Sequence, residues 1–75
     1  MAKFDVALFA YLRERHGSVV TVEAEPNAGA ILAALAGAGV RTDSCRLAVG
    51  DEFVKNDALV PNGSDVALIP PVSGG

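Results

Sequence analysis

The chain is poor in the residues that most often carry chemistry. Of its 75 residues, one is cysteine, one is histidine and none is tryptophan. A single cysteine, Cys45, excludes an internal disulfide and a multi-cysteine metal centre. Beside Arg46 it reads as a small residue packed at the start of a strand. His16 has no second ligand-type residue at metal spacing and reads as a loop residue. Lysine occurs only at positions 3 and 55, aromatics are three Phe and one Tyr, and the formal net charge is −3. No basic stripe interleaved with aromatics exists, so nucleic-acid binding is disfavoured. No apolar run reaches the length of a membrane span. The start, Met-Ala-Lys-Phe-Asp, lacks the pattern of a secretory signal, so a cytoplasmic protein is expected. There is no Ser/His/Asp set and no phosphate-cradling glycine loop. The carboxylates Asp51, Glu52, Asp57 and Asp65 fall in turns, where such residues cap or solvate.

What is present is an apolar content of 51%, enough for the core of one small domain. Phe4, Val6 and Leu8 alternate with polar or small residues, as in a strand with one buried face. Residues 11–17 read as a helical turn or short loop closed by Gly17. Val20, Val22 and Ala24 mark a second strand, antiparallel to the first across a wide connection. Pro26-Asn27 stops it and offers an N-cap. Ala28, Ile31, Leu32 and Leu35 then form one helical stripe, which Gly37-Ala38-Gly39 ends. Gly29 and Gly37 weaken this helix by roughly 1 kcal/mol each, so it must be held by docking on a sheet. Strands follow at 46–49, 53–55 and 65–69, separated by turn clusters. This order predicts an α+β, β-grasp (ubiquitin-like) fold. Its mixed sheet has four to five strands, one main helix on one face, and the last strand beside the first. The expected division is a domain over 1–69 and an extended reactive tail over 70–75. The expected core is Phe4, Val6, Leu8, Val20, Val22, Ile31, Leu32, Leu35, Leu47, Val49, Leu59, Val66 and Leu68.

The most informative segment is Pro70-Pro71-Val72-Ser73-Gly74-Gly75. It follows the last strand with no flexible spacer. Two prolines stiffen it and lower the entropy cost of ordering it in a partner. Gly74 and Gly75 let a narrow channel close on their backbone. Six extended residues reach about 20 Å. The expected reactive group is the carboxylate of Gly75. Adenylation would turn it into an electrophile, and a sulfur nucleophile could then displace AMP to leave a thiocarboxylate. Catalytic groups would belong to the partner enzyme. If Val66 and Leu68 face the core, Ala67 and Ile69 face the other side of the last strand. With Pro70, Pro71 and Val72 they would form an apolar docking strip leading to the reactive end.

The chain resembles the small subunit of molybdopterin synthase, the MoaD-type sulfur carriers. The resemblance rests on Leu8-Phe9-Ala10-Tyr11-Leu12-Arg13-Glu14, on Leu47-Ala48-Val49, and above all on the segment from Gly63 through Pro70-Pro71-Val72-Ser73-Gly74-Gly75. It implies a cycle in which a ubiquitin-activating-like adenylyltransferase of the MoeB type adenylates Gly75 with ATP and Mg. The chain itself binds no cofactor or metal and is not an enzyme on its own. A sulfur donor then makes the thiocarboxylate. The tail enters a MoaE-type large subunit, in a heterotetramer, and sulfur passes to cyclic pyranopterin monophosphate to build the molybdopterin dithiolene. Ser73, with its neighbours, would contact the partner. That family often has Asn where this chain has Gly50, which implies an altered hairpin. Other readings keep the fold but change the acceptor (thiazole or tRNA), conjugate Gly75 to lysines as a protein modifier, or leave the domain a pure interaction module.

Overall fold

The computed structural model describes residues 1–71. The elements in order are β1 (Ala2–Leu8), α1 (Ala10–His16), β2 (Val19–Ala24), α2 (Ala28–Gly37), β3 (Arg46–Val49), β4 (Glu52–Val54) and β5 (Val66–Ile69). The strands form one mixed sheet in the order β2-β1-β5-β3-β4. β1 and β2 pair antiparallel as expected, with Phe4 opposite Val22 and Val6 opposite Val20. β5 lies at the centre, parallel to β1 and antiparallel to β3. This is the β-grasp arrangement.

The alternation in β1 is realised: Phe4, Val6 and Leu8 are buried, and Lys3 and Asp5 are exposed. Val66 and Leu68 of β5 and Leu47 of β3 share that buried face. Ala28, Ile31 and Leu35 of α2 dock on it and Leu32 packs at its edge. Asn27 caps α2 by accepting a hydrogen bond from the Ala30 N–H at 2.8 Å. The other end closes as a Schellman motif: Gly39 N–H donates to Ala36, and Val40 N–H donates to Leu35. Gly39 takes φ 92°, which glycine adopts without strain. Val40, the residue after it, is buried beside the helix it terminates.

Gly29 has a structural reason that offsets its helix penalty. Its N–H donates to the Asn56 carbonyl at 2.8 Å, and a Cβ there would sit 3.0 Å from the same oxygen. The Asn56–Ala58 turn thereby satisfies the first N–H groups of α2, since Ala28 N–H also donates to Ala58.

Three expectations need correction. The helical turn or short loop expected over 11–17 is a longer element: α1 is a seven-residue helix closed by Gly17 as expected, His16 is its last residue and not a loop residue, and Leu12 is fully buried. One apolar anchor gives no periodicity to read. Leu59 is 80% exposed, while its neighbour Val60 is fully buried. Val60 N–H donates to the Pro26 carbonyl, fixing this extended segment so that alternate side chains point apart. Val20, Leu32 and Val49 are only partly buried. Ala24, Ala28, Val40 and Val60 complete the core in their place.

Candidate functional site

β5 organises the site. It is hydrogen-bonded on both sides, so its backbone is held by two neighbours. Its side chains alternate, with Val66 and Leu68 in the core and Ala67 and Ile69 half-buried on the opposite face. The buried residues of α1 and α2 join the core cluster. Both helices therefore cover one face of the sheet, and Ala67 and Ile69 belong to the face without a helix.

The register of the five strands shows what that face contains. Val19 pairs with Ala7, Ala7 with Ala67, Ala67 with Ala48, and Ala48 with Phe53. These five residues form one apolar row across the whole sheet, about 19 Å long at the usual strand spacing. Three alanines make a smooth floor. Val19, 52% exposed, and Phe53, 58% exposed, stand at the two ends on the edge strands. Next to this row Ile69 lies opposite Arg46, whose guanidinium carbon is 5.3 Å from the centre of the Phe53 ring. On the side away from the end of β5 the face becomes polar. Thr21 donates a hydrogen bond to Asp5 at 2.7 Å across β1 and β2, and Lys3 pairs with Glu23.

β5 ends at Ile69, and Pro70 and Pro71 carry no N–H to extend its ladder. Pro70 is half-buried and Pro71 exposed. Of the strip predicted from Ala67 through Val72, Ala67, Ile69 and Pro70 are half-buried and Pro71 is exposed, and these four adjoin a wider apolar surface. Ala7, Val19, Ala48, Phe53 and Arg46 belong to it as well. Nothing in the separate strands marked them, because only the pairing register aligns them. Of the expected site residues, Val72, Ser73, Gly74 and Gly75 lie outside the described residues.

The single cysteine lies apart from this face. Cys45 precedes β3 and packs against the core, with its thiol 3.7 Å from the Arg41 carbonyl. Burial pushes the thiol pKa up, a hydrogen bond with Tyr11 lowers it, and Asp43 raises it again, with a net upward shift. The shift favours the thiol over the nucleophilic thiolate. Among the described residues no three His, Cys, Asp or Glu side chains are grouped to hold a metal ion. None of their helices is long and apolar enough to cross a membrane. Gly50 opens the two-residue turn between β3 and β4 with φ 63°, a value that Asn also tolerates.

The model of the ThiS family matches residues 6–75. Two solved structures superpose over nearly the whole chain. SAMP1 from Haloferax volcanii is 30% identical, with a TM-score of 0.76, covering 99% of this chain and 100% of its own. A structure described as small archaeal modifier protein 1 of H. volcanii is 29% identical, with a TM-score of 0.74, covering 96% and 100%. A family match across almost every residue, on a sheet of this order, establishes that the chain belongs to the ThiS family of small ubiquitin-like β-grasp sulfur carriers.

Proposed function

We propose that this protein is a sulfur carrier whose Gly75 carboxylate is the reacting group, and that it serves as the small subunit of molybdopterin synthase. The observation that carries this reading is the central strand β5, which ends beside a bare apolar face and leads through Pro70-Pro71 into Gly74-Gly75. A partner that docks on the row from Val19 to Phe53 would fix the start of the tail. The tail would then run into the partner's active site, whose distance from the docked face is bounded by a reach of about 20 Å.

The chemistry belongs to the terminus and the partner. The Gly75 carboxylate attacks the α-phosphate of ATP, held with Mg by a MoeB-type activating enzyme, and pyrophosphate leaves. A hydrosulfide equivalent from a sulfur donor adds to the acyl carbon, and AMP leaves with the bonding pair. The product is a thiocarboxylate, which a MoaE-type large subunit would direct to cyclic pyranopterin monophosphate. Glycine at positions 74 and 75 leaves the path to the acyl carbon open. This assignment places the protein in the cytoplasm, with ATP and Mg bound by the enzyme and not by this chain.

A second reading is supported by the modifier proteins that this chain resembles. The activated Gly75 would then be joined to the lysine amine of a target. Both readings share the adenylate and diverge at the nucleophile. The test is to mix the protein with the activating enzyme, ATP-Mg and a sulfur donor and weigh it. The sulfur-carrier reading expects a mass gain of one oxygen-to-sulfur exchange, absent when Gly75 is deleted. Adding the large subunit and cyclic pyranopterin monophosphate should return the carboxylate form and yield the dithiolene. Exchange in the truncated chain would refute the role of Gly75. Lysine adducts with no dithiolene would favour the modifier.

A further inference from the structure

The end of the sheet from which the tail departs has a second feature. β1 and β5 are parallel and β3 is antiparallel to β5. The start of α1 after β1, the loop before β3 and Pro70 after β5 therefore sit at one end of the sheet. There α1 and Arg41 enclose an open cleft of about 290 Å³, lined by Tyr11, Leu12, Arg15, His16 and Arg41.

The lining is one-sided. The chain carries nine acidic and six basic residues, yet two arginines and the one histidine line this cleft and, among the described residues, no carboxylate does. Arg15 and His16 lie in the last turn of α1, where positive charge also complements the helix carbonyls. Arg13 meets that need as well but lies outside the cleft lining. Arg41 comes from a different segment, so helix capping does not account for it. Its one ion pair among the described residues is with Asp43 at 3.5 Å, and both side chains are more than two-thirds exposed. Such a pair contributes little and yields readily to a stronger anion. The floor is the buried Leu12, and one wall is the half-exposed ring of Tyr11.

We propose that this cleft binds a phosphate group, free or as the ester of a small molecule. Two planar guanidinium groups on separate segments suit the oxygens of a phosphate dianion. The His16 imidazole adds a donor. The half-exposed Tyr11 ring gives an apolar wall for the organic part of an ester. Asp43 is the competing anion.

The test is a titration of the full chain, followed by amide chemical shifts, with inorganic phosphate and separately with phenyl phosphate. Saturable shifts confined to residues 11–16 and 41–43 are expected. Equal affinity for the two probes assigns phosphate alone, and tighter phenyl phosphate adds the Tyr11 wall; either result upholds the site. Each of Arg15→Gln and Arg41→Gln should weaken binding about tenfold. Asp43→Asn should tighten it by freeing Arg41. Three results would overturn the proposal: no saturation with either probe, equal shifts around Lys3 and Lys55, or unchanged affinity in a folded R15Q/R41Q protein. A cleft that serves only acidic side chains of a partner protein would give the first of these.

Discussion

Truncating Phe53 to alanine tests whether the row across the open face is a docking surface. Phe53 stands on the edge strand β4 and is 58% exposed in the free protein. A phenylalanine side chain presents about 200 Å², so somewhat over 100 Å² remains for a partner to cover. At about 25 cal/mol per Å² that area is worth about 2–3 kcal/mol on binding, or roughly 30- to 150-fold in affinity. The free fold should lose much less. The ring's identified partner on this face is the Arg46 guanidinium at 5.3 Å, a contact of about 0.5–1 kcal/mol at an exposed site. In a domain of this size that lowers Tm by a few degrees, about 4–8 °C per kcal/mol. Leu59→Ala is the matched control. Leu59 is even more exposed but bridges Asn27 at the start of α2, away from the row. Calorimetric titration with the activating enzyme should show F53A weakened at least tenfold and L59A unchanged, with both proteins folded by circular dichroism. Equal binding by F53A, or equal damage by L59A, would refute the docking face.

Ile69→Asp, opposite Arg46 and next to the tail, should weaken binding to both the activating enzyme and the large subunit without unfolding the domain. The two complexes should be mutually exclusive, and a stable ternary complex held through this face on gel filtration would contradict that. Gly74→Ala should slow thiocarboxylate formation, measured by mass, with Tm unchanged, because a methyl narrows the fit of the tail in a channel; normal turnover would make the glycine incidental. Leu68→Ala, which empties a fully buried position on the central strand, should cost about 2–5 kcal/mol in urea unfolding. That is a large part of the roughly 5–15 kcal/mol of a small domain. The helical glycines should part company in the same assay. Gly29→Ala drives a Cβ to 3.0 Å from the Asn56 carbonyl and should destabilise by about 1–3 kcal/mol. Gly37→Ala meets open space and should stabilise by up to about 1 kcal/mol.

The sequence by itself determined the elements whose burial repeats. Phe4, Val6 and Leu8, the stripe from Ala28 to Leu35, and Val66 with Leu68 were legible because one face of each must leave water, and that demand sets a period of two or of 3.6. Turn chemistry was legible for a local reason too: Asn27 and Gly39 answer to backbone groups within a few residues. The tail motif and the family resemblance needed no coordinates. Tertiary structure alone decided what depends on pairing partners distant in the chain. Leu59 and Val60 are both apolar, and the pairing of this segment with Pro26 and Asn27, including the hydrogen bond from the Val60 N–H to the Pro26 carbonyl, sets which is buried. Leu12 anchors a helix too short to show a period. Val19, Ala7, Ala67, Ala48 and Phe53 become one surface because the register of five strands puts them in line. Arg41 lines the same cleft as Arg15 because β3 runs antiparallel to β5 and brings its preceding loop to the end of the sheet where α1 follows β1. Local periodicity reports which way a side chain faces; it carries no information about which strand lies beside it.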